Sequence, residues 1–205
     1  MSSGIGPTAT EDRIESILTR QYRYTVPDYQ RRYAWNEIQW SALWSDIQAL
    51  EPNETHFFGS IVLIERNQGL NELDVLEIVD GQQRFTTSII LLQCLIEKIE
   101  TLNSVDDDDI YIHGYSLKDI KERFIAISRP PDNTITTYKF GYETDNPSFE
   151  FLRYKIFNEK DSGSIDETFY TLNLENAKLF FKENIDHLVD ERGNEKVDEL
   201  FEKLT

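Results

Sequence analysis

The spacing of apolar positions changes period several times along the chain, and each change marks an element. Ile14, Ile17 and Leu18 form one short stripe after Thr10, which predicts a brief helix with Thr10 as its N-cap. Tyr22-Arg23-Tyr24-Thr25-Val26 alternates as a strand does, and Pro27 ends it because proline has no N–H to give a ladder. From Asn36, a second N-cap, Ile38, Trp40, Leu43, Trp44 and Ile47 fall at helical spacing and predict a helix over about 37–50. Two β-branched runs, Phe57 to Ile64 and Asp74 to Val79, flank the turn chemistry of Asn67-Gln68-Gly69 and read as a hairpin.

Phe85 to Glu100 holds neither Gly nor Pro, and its Ile89, Ile90, Leu91, Leu92, Leu95, Ile96 and Ile99 spread over a surface too wide for an outer helix. A central helix is predicted there. Leu117 to Ser128 predicts another, stopped before Arg129-Pro130-Pro131, and Thr134 to Phe140 alternates as a strand. Asn146-Pro147-Ser148 reads as an N-cap with proline at the first helical position, opening a helix over about 148–158. From Ser164 onward, Phe169, Leu172, Leu174, Ala177, Phe180, Phe181, Ile185 and Leu188, then Val197, Leu200, Phe201 and Leu204, predict two helices around Gly193.

The fold class predicted is α+β: a mixed sheet with surrounding helices over 11–155, behind a flexible stretch 1–10 and followed by a helical extension over 156–205. The last helix ends apolar and uncapped. That pattern reads as the start of a truncated C-terminal region, and a homo-oligomer with a second copy of the chain would use the same end.

The 205 residues suit one sizeable domain with a small appendage, and 39% hydrophobic with 12% aromatic residues supplies enough apolar area for a core. Cys94 is the lone cysteine, so neither a disulfide framework nor a thiolate metal cluster can be built from this chain. The N-terminal residues lack the basic start and apolar stretch of a signal peptide, and no run is long enough for a membrane span; the expectation is a cytoplasmic protein with no membrane partner. Net charge of −17 argues against a broadly basic nucleic-acid surface. The negative excess lies toward the C-terminus and in Asp106 to Asp109, which reads as a solvated loop, while the first fifty residues carry five Arg against six acids. A local arginine pocket remains compatible with that distribution.

The chemistry concentrates in two places. Asp80-Gly81-Gln82-Gln83-Arg84 joins a strand to a helix, and a helix N-terminus offers unpaired N–H groups and about half a positive charge to an anion. Gly81 lets the backbone bend, Gln82 and Gln83 offer amides, Arg84 a guanidinium fork, and Thr86 and Thr87 hydroxyls. Asp80 beside a phosphate repels it unless a cation intervenes or the acid orients water. Spacing alone equally allows a plain strand-to-helix turn in which Asp80 caps and Arg84 pairs with it. The second place, Pro27 to Trp35, sets Arg31 and Arg32 beside Gln30 among Tyr29, Tyr33 and Trp35, as phosphate clamps with stacking rings or as core anchors with solvated arginines. His56, His113 and His187 are scattered and read as structural, and the Walker phosphate loop is missing from the sequence.

Val26-Pro27-Asp28-Tyr29-Gln30-Arg31-Arg32-Tyr33-Ala34-Trp35, Phe57-Phe58-Gly59-Ser60-Ile61-Val62-Leu63 and Ile78-Val79-Asp80-Gly81-Gln82-Gln83-Arg84-Phe85-Thr86-Thr87, in that order and spacing, resemble the N-terminal domain of GmrSD-type restriction endonucleases. Phe140 to Ser148 resembles one subgroup. That family is similar to the ParB and sulfiredoxin superfamily, so the resemblance implies a ParB-like mixed sheet whose glycine-containing, arginine-ending turn binds a nucleoside triphosphate. It implies catalytic roles for Asp80, Gln83 and Arg84, with Asp80 taking Mg2+, and binding roles for Gly81, Gln82, Thr86, Thr87, Gln30, Arg31 and Arg32. The function it implies is nucleotide hydrolysis that licenses or regulates DNA cleavage in phage defence, with DNA met through the full-length protein and cutting done by a separate histidine-containing domain whose motif does not follow residue 155 here. Two other readings stay open: a non-hydrolysing module that senses DNA modification, and a ParB-like nuclease.

Overall fold

The computed structural model describes residues 9–51, 54–66, 74–102, 110–112, 114–129, 134–160, 165 and 167–204. The readings placed on residues 1–8, Asn67-Gln68-Gly69, Asp106 to Asp109, His113 and Pro130-Pro131 lie outside the described residues. In chain order the elements are α1 (Ile14–Thr19), β1 (Tyr22–Val26), α2 (Glu37–Ala49), β2 (Val62–Arg66), β3 (Asp74–Asp80), α3 (Gln82–Leu102), β4 (Tyr111–Ile112), β5 (Tyr115–Ser116), α4 (Leu117–Phe124), β6 (Ala126–Arg129), β7 (Thr134–Tyr138), β8 (Phe140–Tyr142), α5 (Ser148–Phe151), a π-helical turn continuing it (Leu152–Ile156), α6 (Phe169–Arg192) and α7 (Glu195–Leu204).

The main sheet has the order β2-β3-β1-β8, with β2 antiparallel to β3 and with β3, β1 and β8 all parallel. Two short ribbons, β4–β5 and β6–β7, stand apart from it. This is the α+β class that the pattern predicts. Parallel pairing sets Thr25 opposite Glu77 and Val26 opposite Tyr142, so the C-terminal ends of three strands share one edge.

Helix α3 is buried nearly all round, as its wide apolar surface requires: Ile89, Ile90, Leu91, Leu92, Leu95 and Ile96 are all in the core. On the sheet side, the Phe85 ring lies 5.0 Å from that of Tyr24 and 5.4 Å from that of Phe140. On the other side lies α6, where Lys178 pairs with Glu97 at 2.9 Å and Asp186 with Lys98 at 2.7 Å. Cys94 Sγ donates to the Lys178 carbonyl at 3.5 Å. Partners advance in the same sense along both helices, so α3 and α6 run parallel and start at the same end of the molecule. Gly193, at φ +95°, turns the chain into α7, whose Lys203 reaches back to the Gln48 carbonyl at 3.2 Å. Leu174, Phe181, Ile185, Val197, Leu200 and Phe201 belong to the same buried cluster as the sheet.

Several elements differ from expectation. Helix α1 begins at Ile14 with no side-chain cap, because Asp12, not Thr10, takes the Arg13 N–H. Strand β2 begins at Val62 instead of Phe57, since Gly59 sits at φ +100° and the Ser60 carbonyl is held by Arg84. Helix α3 begins one turn earlier, at Gln82, and α4 stops at Phe124. Residues 126–129 form a strand instead, paired with β7. The run from Thr134 breaks at Lys139, whose buried ammonium donates to the carbonyls of Leu18 (3.3 Å), Arg20 (3.4 Å) and Arg123 (2.6 Å) and so ties the ends of α1 and α4 together. The capping signals at Asn36 and Asn146 hold: Asn36 accepts from Ile38, and Asn146 accepts from Ser148 with Pro147 in helical conformation between them.

Candidate functional site

Strand β3 delivers Asp80 to the shared C-terminal edge, and Gly81 turns the chain into α3. Gly81 lies at φ +87°, and a Cβ there would come within 3.0 Å of the Ser60 carbonyl and 3.2 Å of Ile61 Cα, so both conformation and space require glycine. The first helical bond runs from Phe85 N–H to the Gly81 carbonyl at 3.0 Å, which leaves the N–H groups of Gln82, Gln83 and Arg84 ahead of the ladder.

Arg84 points back toward this turn. Its Nη2 donates to the Ser60 carbonyl at 2.5 Å and stands 3.9 Å from Asp80. Gly59 passes over the guanidinium so closely that a Cβ would lie 3.1 Å from Cζ and Nε. The Nε is buried without a partner, although 29% of the side chain remains exposed. Asp80 is 65% exposed at the mouth. The Asp80–Arg84 pairing of a plain strand-to-helix turn is present, but it is long and open.

The other residues singled out in the sequence divide between mouth and core. Gln83 is buried, with Oε1 accepting from Ala34 N (2.8 Å) and Trp35 N (3.2 Å) and Nε2 donating to the Arg32 carbonyl (3.1 Å). It clamps the loop after β1 onto the start of α3. Gln30 anchors the same loop by donating to the Val79 carbonyl at 2.7 Å, and Gln82 is buried. Thr86 and Thr87 are fully buried. Thr86 shares a hydrogen bond with Tyr142 OH at 3.1 Å. Trp40 Nε1 donates to Tyr33 OH (2.8 Å), Thr87 donates to the Gln83 carbonyl (2.8 Å), and the Tyr33 hydroxyl must therefore donate to Thr87 Oγ1 (2.8 Å). Burial pushes the Tyr33 and Tyr142 hydroxyls well above their ordinary range. Arg31 and Arg32 are exposed.

Arg32 connects two elements. Its carbonyl is tied to Gln83 at the start of α3, while its guanidinium lies 5.5 Å from the ring centroid of Tyr170 in the first turn of α6. Two long helices therefore present their positive ends at the strand edge, with one arginine between them. Beyond β1 and β8 the edge turns acidic: Asp28 N–H donates to Glu143 at 2.8 Å, and desolvation together with the Glu143 and Asp145 carboxylates pushes the Asp28 carboxyl above its ordinary value. The helix ends are positive, the exposed Asp80 carboxylate opposes them at the start of α3, and the β8 side is acidic. Tyr170 carried no functional signal in the sequence and lies outside the apolar positions at helical spacing named there. The Gly59-Ser60 pair was visible only as part of a motif block.

Among the described residues, no group of three or more His, Cys, Asp or Glu could hold a metal ion, and no helix is long and apolar enough to cross a membrane. His56 pairs with Asp46 at 3.4 Å and His187 with Glu191 at 3.3 Å, both on the surface. A separate cavity of about 410 Å³ lies at the opposite edge of the sheet, walled by Arg123, Tyr115 and the saturated Lys139.

Compared with known families, residues 14–205 match the model of the GmrSD restriction endonuclease N-terminal domain. The chain belongs to that family. No curated protein matches it. As a GmrSD N-terminal domain it is part of a restriction protein, a class that acts on DNA in phage defence, and the match spans both the sheet and the α6–α7 pair.

Proposed function

We propose that this GmrSD N-terminal domain binds a nucleoside triphosphate at the entrance of α3 and hydrolyses it, thereby regulating DNA cleavage carried out elsewhere in a cytoplasmic restriction protein. The observation that carries this reading is the Arg84 guanidinium, held under Gly59 beside the open start of α3 with its Nε unpaired. A charged donor fork at a positive helix end is suited to phosphate oxygens. Asp80, exposed 3.9 Å from that fork, suits the orientation of an attacking water. It also provides one carboxylate where a Mg2+ carried on nucleotide phosphates takes one or two from a protein. Gln83 and Gln30 position the loop bearing Arg31 and Arg32, and Thr86 and Thr87 brace the helix from inside the core.

The test is phosphate release by the purified protein with Mg2+ and each of the four ribonucleoside triphosphates. Wild type is expected to release phosphate and the Asp80→Ala, Arg84→Ala double variant to have lost the activity. Equal release by both proteins refutes the reading. Plasmid nicking by the same preparations checks the nuclease alternative, and no nicking is expected.

A further inference from the structure

We infer that Tyr170, with Phe169 and Arg32 around it, forms the subsite that stacks the base of the bound nucleotide, an inference that rests on the phosphate reading of the α3 entrance. On α6, Tyr170 begins the stripe that packs against the core: Leu174, Ala177, Phe181 and Ile185 follow at spacings of three and four, and all four are buried. Tyr170 alone in that stripe is left open, with 36% of its surface exposed. Phe169 beside it is 70% exposed and meets the Tyr170 ring edge-on, at 5.7 Å and 79°. A large aromatic pair exposed in this way forfeits burial that the helix obtains one turn later.

The position of the ring matches a nucleotide bound by its phosphates at α3. The two helices start side by side, and packed helix axes stand about 8–10 Å apart. That span is comparable with the ribose and first phosphate that separate a base from the rest of the ligand. Arg32 brings the two starts near one another, since its carbonyl bonds to Gln83 on one helix while its guanidinium lies 5.5 Å from the Tyr170 ring on the other. At 5.5 Å from the centroid, that guanidinium stands beyond the roughly 3.5–4 Å of direct stacking contact, so a flat ring needs only a shift of an exposed side chain to reach Tyr170. Stacking accepts every base because every base has a π-face, so the four ribonucleotides should differ by less than about tenfold in affinity.

Binding to the full chain is measured by calorimetry for the four nucleoside triphosphates and for inorganic tripolyphosphate, which has phosphates and no base. Tyr170→Leu is expected to weaken nucleotide binding about five- to 150-fold while leaving tripolyphosphate unchanged. Wild-type affinity for nucleotide in the leucine variant overturns the subsite, as does an equal loss for both ligands, which marks a purely structural residue. Wild-type protein that binds neither ligand removes the phosphate reading itself and the subsite with it. Tyr170→Trp serves as a second variant: it should keep nucleotide affinity, and its emission should change with nucleotide and not with tripolyphosphate. Unchanged emission on nucleotide binding overturns the subsite even if the leucine variant fails to fold.

Discussion

Replacing Gln83 with methionine separates the two jobs this residue could have. Methionine has nearly the same length and volume, so no cavity opens, but it can neither accept from Ala34 N and Trp35 N nor donate to the Arg32 carbonyl. Three hydrogen bonds are lost, each with a net value of about 1 kcal/mol, which predicts a loss of about 3 kcal/mol in stability. For a chain of this length, about 2–4 °C of melting temperature accompanies each kcal/mol, so the expected drop is about 6–12 °C by thermal circular dichroism. The loop from Arg32 to Trp35 is released at the same time, and nucleotide binding should weaken with it. A variant that melts with wild type and binds nucleotide normally, yet no longer releases phosphate, would refute the argument, because Gln83 would then be touching the reacting atoms.

Lys139→Met removes an ammonium that satisfies three carbonyls at the ends of α1 and α4, and should lower stability by about 2–3 kcal/mol in urea titration; a variant at least as stable as wild type would contradict this. Gly81→Ala should lower melting temperature more than Gly59→Ala. Both sit at positive φ, but a Cβ at Gly81 meets main chain at 3.0 Å, whereas at Gly59 it meets the end of a side chain that can yield; the reverse order would count against the strand-to-helix geometry. Stability should also fall as pH rises above 10. Burial raises Tyr24 to about 12 and Tyr33 and Tyr142 further, so in the unfolded chain these phenols ionise from about pH 10 while the folded ones stay neutral. Each contributes about 1.4 kcal/mol per pH unit in that window. Lys139, lowered by its burial, works in the opposite direction only up to its ordinary value, while burial raises Tyr138 and the Cys94 thiol as well and adds to the loss. A melting temperature constant from pH 9 to 11.5 would rule this out.

The sequence read best where one physical signal dominated. The strand at Tyr22 to Val26, the caps at Asn36 and Asn146, the uninterrupted apolar run of α3 and the break at Gly193 all survive in the structure, although β1 is an inner strand whose Tyr24, Thr25 and Val26 are all buried and does not alternate in exposure. The site was legible as a turn and a loop, less so in its details. Starting α3 at Phe85 puts Thr86 and Thr87 at the mouth; starting it at Gln82 moves them one turn inward, against Tyr142 and Tyr33. An amide such as Gln83 looks the same in sequence whether it faces a ligand or a loop backbone. The strand at residues 126–129 was hidden because it is specified by its partner β7 and by the reach of Lys139, both distant in sequence. The alignment of α6 beside α3, which brings Tyr170 to Arg32, likewise exists only in three dimensions.

The hydrogen bond from Arg84 to the Ser60 carbonyl makes the pocket and the rim of the sheet a single mechanical unit. Ser60 lies two residues before β2, the outermost strand, whose Val62 and Ile64 face solvent. If the proposed nucleotide draws the guanidinium outward, the tether on that strand loosens. On the proposed reading, filling the helix entrance would reach the outermost strand through this single carbonyl.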